Sequence, residues 1–416
     1  MKLPNLQNTD KTLWAIYISM IVVAIIALFS ASSMLVYKDH SVLGPVGQQI
    51  LFMVAGVVLA FLIQFLPSYI IRIGGYALLL LSVIMVWSLL VPHNPFAVTL
   101  NGATRWLNIA GIVFQPSELA KLSLIIVVAD LLSRIKTEAD KRKYFFWTLG
   151  ITAVVALPVM TSNLSTAILI CGIVFLLWIL ARIPFKFLGS TAGIAIIFLV
   201  LGYCIVEFGF VRQDREMTGL FGRAETWVRR IDRKFAGTSD DKTAPFVITD
   251  ENRQEAYANV AIARGGKSPF GVLPGNSKER DYLPLAYADY IYAIIVEESG
   301  IVGALVVIAL YLWLLFRACF ISTRYGDYAA MLMVMGLALM LTCQALISML
   351  VAVGLGPVTG QPLPLISRGG TSVLITSVYF GIMMCVSREQ TELRNRQQES
   401  IHASQDEVPD IKVESS

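Results

Sequence analysis

Asp289, in the stretch GNSKERDYLPLAYADYIYA at 275–293, puts a carboxylate at the mouth of a membrane helix in a hydrocarbon-rich chain, which points to chemistry at a membrane surface. An ionised Asp inside a bilayer span costs about 2.5 to 3.5 kcal/mol on insertion scales, so such a residue usually faces a cavity, a partner or a substrate. A helix N-cap near the headgroups is the simpler alternative. Glu118 and Lys121 sit three apart on one face of a helix start whose first turn holds Pro116. They either neutralise each other or line a cavity. The segment GLGPVTGQPLPLISRGGTS at 354–372 is broken by prolines and glycines and cannot be regular helix. Such backbone is tolerated near the bilayer where protein buries it or where it lines a wet cavity. Three elements of this kind on one side imply a single outward-facing cleft.

The elements that must position these groups follow from composition and hydropathy. With 416 residues, 56% hydrophobic and 15% charged, and a mean hydropathy of +0.68, the chain reads as an all-α polytopic membrane protein. Apolar stretches of spanning length fall near 13–36, 47–66, 69–91, 115–135, 144–161, 163–181, 187–209, 286–318, 329–353 and 369–388, which predicts ten transmembrane helices. The first is too long for a signal-peptide core and predicts an uncleaved span. Lys and Arg collect in alternate short loops: Arg134, Lys136, Lys141, Arg142 and Lys143 after the fourth span, Arg182 and Lys186 after the sixth, Arg317 and Arg324 after the eighth. These loops are expected in the cytoplasm, and with an even number of spans so are both termini.

Residues 1–388 are thus expected to form one membrane domain, with a long extracytoplasmic loop at 211–285 between helices seven and eight. Within that loop Leu220, Ala224, Trp227, Val228, Ile231 and Phe235 recur at helical spacing beside Arg229, Arg230, Arg233 and Lys234, predicting a basic amphipathic helix at an interface. GGKSPFG at 265–271 is no phosphate loop, because Ala261 stands where the first Walker glycine belongs and Pro269 interrupts the expected helix. Its glycines, with Gly275, instead predict tight turns and close backbone approach to a ligand. Residues 389–416 are polar without an apolar period and are expected to be a disordered cytoplasmic tail. The five cysteines lie in or beside apolar runs, so no disulfide framework is expected, and no Cys/His metal spacing occurs.

Taken together, GATRWLNIAGIVFQPSELAKL, ANVAIARGGKSPFGVLPGNSKERDYLPLAYADYIYAIIVEESG and GPVTGQPLPLISRGGTS resemble the signature segments of the SEDS family, the RodA/FtsW/SpoVE proteins of bacterial cell-wall synthesis. The resemblance covers about residues 13–388 and implies a SEDS fold of ten transmembrane helices with a long loop before helix eight. It also implies a peptidoglycan glycosyltransferase of the inner membrane that polymerises lipid II, an undecaprenyl-pyrophosphate disaccharide peptide, together with a class B penicillin-binding protein. GNSKERDYLP resembles the FtsW branch more than the RodA branch, which implies the division septum and other division proteins rather than elongation. No nucleic acid is expected among the partners. Position by position, Asp289 in ADYIY matches the family's essential aspartate, and Trp106, Glu118 and Lys121 match its RW and QPSE..K segments. Lys278 matches the basic residue of GNSK, and Ser367, Gly369 and Gly370 match the SYGG turn. Arg368 replaces the usual Tyr of that turn, and SNLST at 162–166 stands where PDLGT is common, adding a cation at one turn and removing a carboxylate at the other.

The implied reaction, attack of a sugar hydroxyl on the anomeric carbon of a second lipid II, needs a base at the acceptor. Asp289 is the candidate, a role typically worth about 10²- to 10⁴-fold in rate. The departing pyrophosphate needs its charge stabilised by Lys, Arg or a divalent cation such as Mg or Mn. Lys121, Lys278, Arg105 and Arg368 are candidates that the sequence does not rank. One attack from the face opposite the leaving group turns the α-linked donor into a β-1,4 linkage. Two other classes fit the same pattern: a transporter flipping lipid II past Asp289 and the Glu118/Lys121 pair, and a scaffold that recruits the penicillin-binding protein. Asp130, Glu297 and Glu298 stand apart from the outer set as structural or relay groups.

Overall fold

The computed structural model describes residues 9–31, 45–92, 94–100, 103–109, 111–209, 228, 248, 253–279, 282–283, 288–323 and 327–406. Helices α1 (Lys11–Ala31), α2 (Pro45–Ile63) and α3 (Ser68–Ser88) are followed by strands β1 (Ala97–Leu100), β2 (Ala103–Ile109) and β3 (Ile112–Phe114). Then come α4 (Pro116–Ser133), α5 (Glu138–Ser162), α6 (Leu164–Leu180), α7 (Phe185–Gly209), α8 (Arg253–Gly265), α9 (Ile291–Ser322), α10 (Tyr328–Ala352) and α11 (Gly370–Asp406). Eight of the described helices are long and apolar enough to cross a membrane. At the fourth and sixth expected spans stand α4, whose 18 residues include Glu118, Lys121 and Asp130, and α6, an apolar helix of 17 residues. The chain is a multi-pass membrane protein.

Local chemistry explains several boundaries. Thr137 caps α5 in a reciprocal capping box with Asp140. Asn163 ends α5 and starts α6, its side chain accepting from the Thr166 N–H at 3.2 Å, so the SNLST variant serves as a one-residue helix turn. Helix α2 packs along α11 through small residues: a Cβ on Gly381 would come within 3.0 Å of Ala60 Cα. Close backbone approach of this kind is how apolar helices associate where lipid competes equally for hydrocarbon. At the same seam the Tyr17 hydroxyl donates to Ser377 at 2.7 Å.

Two expectations change, one gains a feature, and one lies outside the described residues. The helical membrane architecture stands with one addition: β1, β2 and β3 form an antiparallel meander pairing Val98 with Trp106 and Leu107 with Phe114. Its β-branched alternation is too short to register beside 20-residue apolar runs. The eighth span is not one helix: Gly300 has φ 62° and ψ −156° inside α9. Tyr292 donates to the carbonyl of Ala304, 12 residues on, at 3.4 Å, although 12 residues of straight helix cover about 18 Å. The helix therefore folds back at Gly300, leaving the stretch after it, at about 33 Å, as the spanning part and the one before it, at about 13 Å, as a re-entrant half-helix.

The tail is also ordered further than expected, α11 continuing to Asp406. Arg388 pairs with Glu392 one turn on at 2.9 Å, and Glu389 accepts from the Ser68 N–H at 2.8 Å, which carries the helix past its apolar part. Finally, the interfacial helix expected at 220–235 lies outside the described residues except for Val228, which is helical and buried.

Candidate active site

Asp289 stands at the base of the re-entrant half-helix, half-buried, and the broken segment 354–369 closes over it. Ser367 donates its hydroxyl to the Ala288 carbonyl at 2.6 Å and accepts from the Leu363 N–H at 2.8 Å, fixing the segment directly to the residue before Asp289. Gly360, at φ +63°, turns the segment so that its missing side chain faces the cleft. A Cβ there would lie 3.5 Å from Arg105 Nη1 and 3.8 Å from Asp289 Oδ2. Arg105 comes from β2, 184 positions away in the chain, and its Nε donates to the Ser162 carbonyl at 2.9 Å. A carboxylate and a guanidinium from distant elements thus meet beside one glycine.

Glu118 and Lys121 do not line the open cleft. Lys121 is 1% exposed and binds Glu118 Oε1 at 2.7 Å and Gln344 Oε1 at 2.7 Å. Gln344 in turn donates to the Pro362 carbonyl at 3.1 Å. The pair is therefore neutralised and joined through Gln344 to the broken segment, a satisfied buried network that holds the wall of the cleft. Gln361 donates to Thr166 at the start of α6, and Tyr311 of α9 donates to the Pro364 carbonyl. Trp106 pairs with Val98 in the sheet next to Arg105, with strand alternation turning its side chain to the opposite face. Arg368, Gly369 and Gly370 form the half-buried entry to α11, which Thr371 ties to the Val113 carbonyl of β3 at 3.5 Å.

Lys278 is placed elsewhere, on a loop docked against the bend of α9. Its N–H donates to Glu297 Oε1 at 3.2 Å while its side chain is exposed. Glu297 is fully buried, pairs with Arg264 at 3.0 Å and accepts from Ser277. Glu298 accepts from the Gly275 N–H at 3.0 Å and from Ser30 at the end of α1. The two glutamates are structural anchors of the outer loop. The glycines of 265–271 serve the same contact: a Cβ on Gly265 would lie 2.0 Å from the Val296 carbonyl, and one on Gly271 2.4 Å from that of Glu297. Close approach is thus to the protein's own helix, where sequence suggested a ligand. Asp130 binds Tyr76 at 2.7 Å and Arg134 at 2.6 Å, remote from this set.

Gln344, Gly360 and Gln361 escaped the sequence reading. A lone glutamine within the apolar run 329–353 was the available signal, since polar side chains at that depth need partners. Among the described residues no group of three or more His, Cys, Asp or Glu gathers as for a metal. All five cysteines are free.

Comparison with known proteins gives a consistent assignment. Residues 10–392 match the family model FtsW/RodA/SpoVE, described as cell cycle protein. The chain is 32% identical over 309 residues to a probable peptidoglycan glycosyltransferase FtsW of Enterococcus hirae, covering 74% of this chain and 73% of that one. It is 25% identical over 379 residues to the peptidoglycan glycosyltransferase MrdB of Escherichia coli K12, covering 91% and 93%. A chain of a solved peptidoglycan synthase complex that coordinates polymerization and crosslinking superposes with a TM-score of 0.68 at 22% identity, covering 92% of this chain and 98% of that one. With residues 10–392 of its 416 matching the family model, this chain belongs to the FtsW/RodA/SpoVE family, the SEDS proteins.

Proposed function

We propose that the protein is a peptidoglycan glycosyltransferase that polymerises lipid II at the outer face of the bacterial inner membrane. The observation that carries the reading is the meeting of Asp289 Oδ2 and Arg105 Nη1, each within 4 Å of one point beside Gly360. Asp289 takes the proton of the acceptor sugar hydroxyl as its oxygen bonds to the donor's anomeric carbon. The bond from that carbon to the lipid pyrophosphate breaks, and the electron pair leaves on the pyrophosphate oxygen. Arg105 supplies positive charge for that group, its orientation set by Ser162. Arg368 is a second candidate at the same wall, and Lys278 serves substrate held further out. A single displacement inverts the anomeric centre and needs one base, which is what the cleft offers.

A divalent cation, Mg or Mn, fits this donor set in one way. Glu118 is engaged by Lys121 at 2.7 Å, so Asp289 is the cleft carboxylate that would help hold such an ion, with substrate phosphates and water supplying the remaining oxygens as is usual for Mg. Bound there, the ion would screen pyrophosphate charge. We place the basic loops at 134–143 and 182–186, and both termini, in the cytoplasm. A class B penicillin-binding protein and other division proteins at the septum are the proposed partners, in keeping with the FtsW name of the Enterococcus relative. Polymer formed from purified lipid II by the chain with such a partner tests the reading. Lipid II crossing liposomes without polymer would favour a transporter.

A further inference from the structure

We propose that the cytoplasmic face carries a separate site that binds the phosphate of an anionic phospholipid headgroup in the inner leaflet. The site is a cavity of about 740 Å³ where the segment joining α4 to α5, the end of α6 and the start of α10 meet. Lys136, Lys141 and Arg182 line it together with the apolar Ile135, Ala181 and Met331. Glu138 is the acid among its lining residues, and Lys141 engages it at 2.6 Å. The neighbouring Asp140 is taken up by the Thr137 capping box. Among the described residues neither Lys136 nor Arg182 has an ion-pair partner. Uncompensated positive charge over apolar side chains complements a phosphate ester followed by acyl carbon. Basic pockets between membrane helices on this side are suited to such headgroups.

Arg182 supplies an independent observation. It has φ 53° just beyond the α6 C-cap Ala181. Its N–H donates to Ile179 and that of Ile183 to Trp178, each at 3.0 Å. This is the helix-ending turn at which glycine is ordinary, because an L side chain disfavours the left-handed conformation. An exposed guanidinium at a strained position, near enough to Tyr328 to interact electrostatically but without an ion-pair partner among the described residues, points to a ligand outside the fold.

The inference rests on the orientation proposed above and not on the polymerase, so binding is the readout. The full chain in neutral detergent is titrated with dioctanoyl phosphatidylglycerol, dioctanoyl phosphatidylcholine or inorganic phosphate, following melting temperature and lipid retained in native mass spectrometry. Saturable stabilisation by phosphatidylglycerol alone is expected. Arg182→Gly should weaken it tenfold or more, while melting without lipid at the wild-type temperature or above because the strain is relieved. Lys136→Gln, away from the strained turn, should weaken it as well. Affinity within twofold of wild type in both variants overturns the proposal, as does equal stabilisation by phosphatidylcholine. Saturation by phosphate alone would mark a free-anion site and overturn the lipid assignment. A lower lipid-free melting temperature for Arg182→Gly would show that the side chain serves the fold instead.

Discussion

Replacing Gly300 with Ala strikes the bend that aims Asp289. At φ +62° and ψ −156°, a conformation essentially confined to glycine, an L residue is strained by about 1–3 kcal/mol. Its Cβ would also lie 2.4 Å from both Gly271 N and the Pro269 carbonyl, so the docked loop must move away. Four hydrogen bonds hold residues 269–275 of that loop to the bend. Val272 N–H donates to Glu297 O at 2.9 Å, Leu273 N–H to Glu298 O at 2.9 Å, and Val302 N–H to Pro269 O at 3.1 Å. Gly275 N–H donates to Glu298 Oε1 at 3.0 Å. At about 0.5–1.5 kcal/mol each, their loss with the strain gives roughly 3–9 kcal/mol. Thermal unfolding in detergent, followed by intrinsic fluorescence, should show a large drop in Tm for Gly300→Ala and a comparable one for Gly271→Ala. Because each new methyl strikes the other's segment, the double variant should lose well short of the two drops combined. Gly150→Ala is the control: inside α5 with nothing within 4 Å of its Cβ, it should be neutral or stabilised by up to about 1 kcal/mol. A Gly300→Ala protein melting with wild type, or additive losses in the double, would refute the interlock.

Three further outcomes are expected. Gln344→Leu deprives Lys121 of an acceptor and should lower stability by about 1.5–3 kcal/mol, and Lys121→Met, which leaves Glu118 buried and unpaired, by about 3–5 kcal/mol, both read as unfolding midpoints. Arg105→Lys keeps the charge but loses the planar fork, so polymerisation should fall about tenfold or more with little change in melting, and a full rate would remove the guanidinium from the mechanism. Burial, with Glu297 nearby, pushes the Glu279 carboxyl above its ordinary range, against the pull of Arg264 and Lys278. The folded state therefore favours its protonated form, and that stability is lost as pH rises through the raised pKa. Glu279→Gln should melt like wild type in acid and higher than wild type at neutral pH.

The spans were legible because twenty-residue apolar runs have no other solution in a bilayer. Asp289, Glu118 and Lys121 were legible because charge at that depth requires a purpose. The roles of the last two were not, since a chain of bonds through Gln344 to Pro362 exists only once α4, α10 and the broken segment meet. The bend at Gly300 was hidden for a related reason: apolar residues predominate on both sides of Gly300 in 286–318, and hydropathy does not report chain direction. Gly265 and Gly271 announced close approach, but whether to a ligand or to α9 depended on tertiary contact. The stretch 389–406 shows the opposite error, a polar segment kept helical by Arg388–Glu392 and by anchoring to Ser68.

The central claim, that Asp289 performs proton transfer in glycan polymerisation, is tested most directly with lipid II in liposomes holding the chain and its class B penicillin-binding protein. Wild type should give long glycan products. Asp289→Asn, which retains the shape and loses the base, should give none while still folded and partner-bound. Polymer from Asp289→Asn at a rate within a few-fold of wild type would contradict the account.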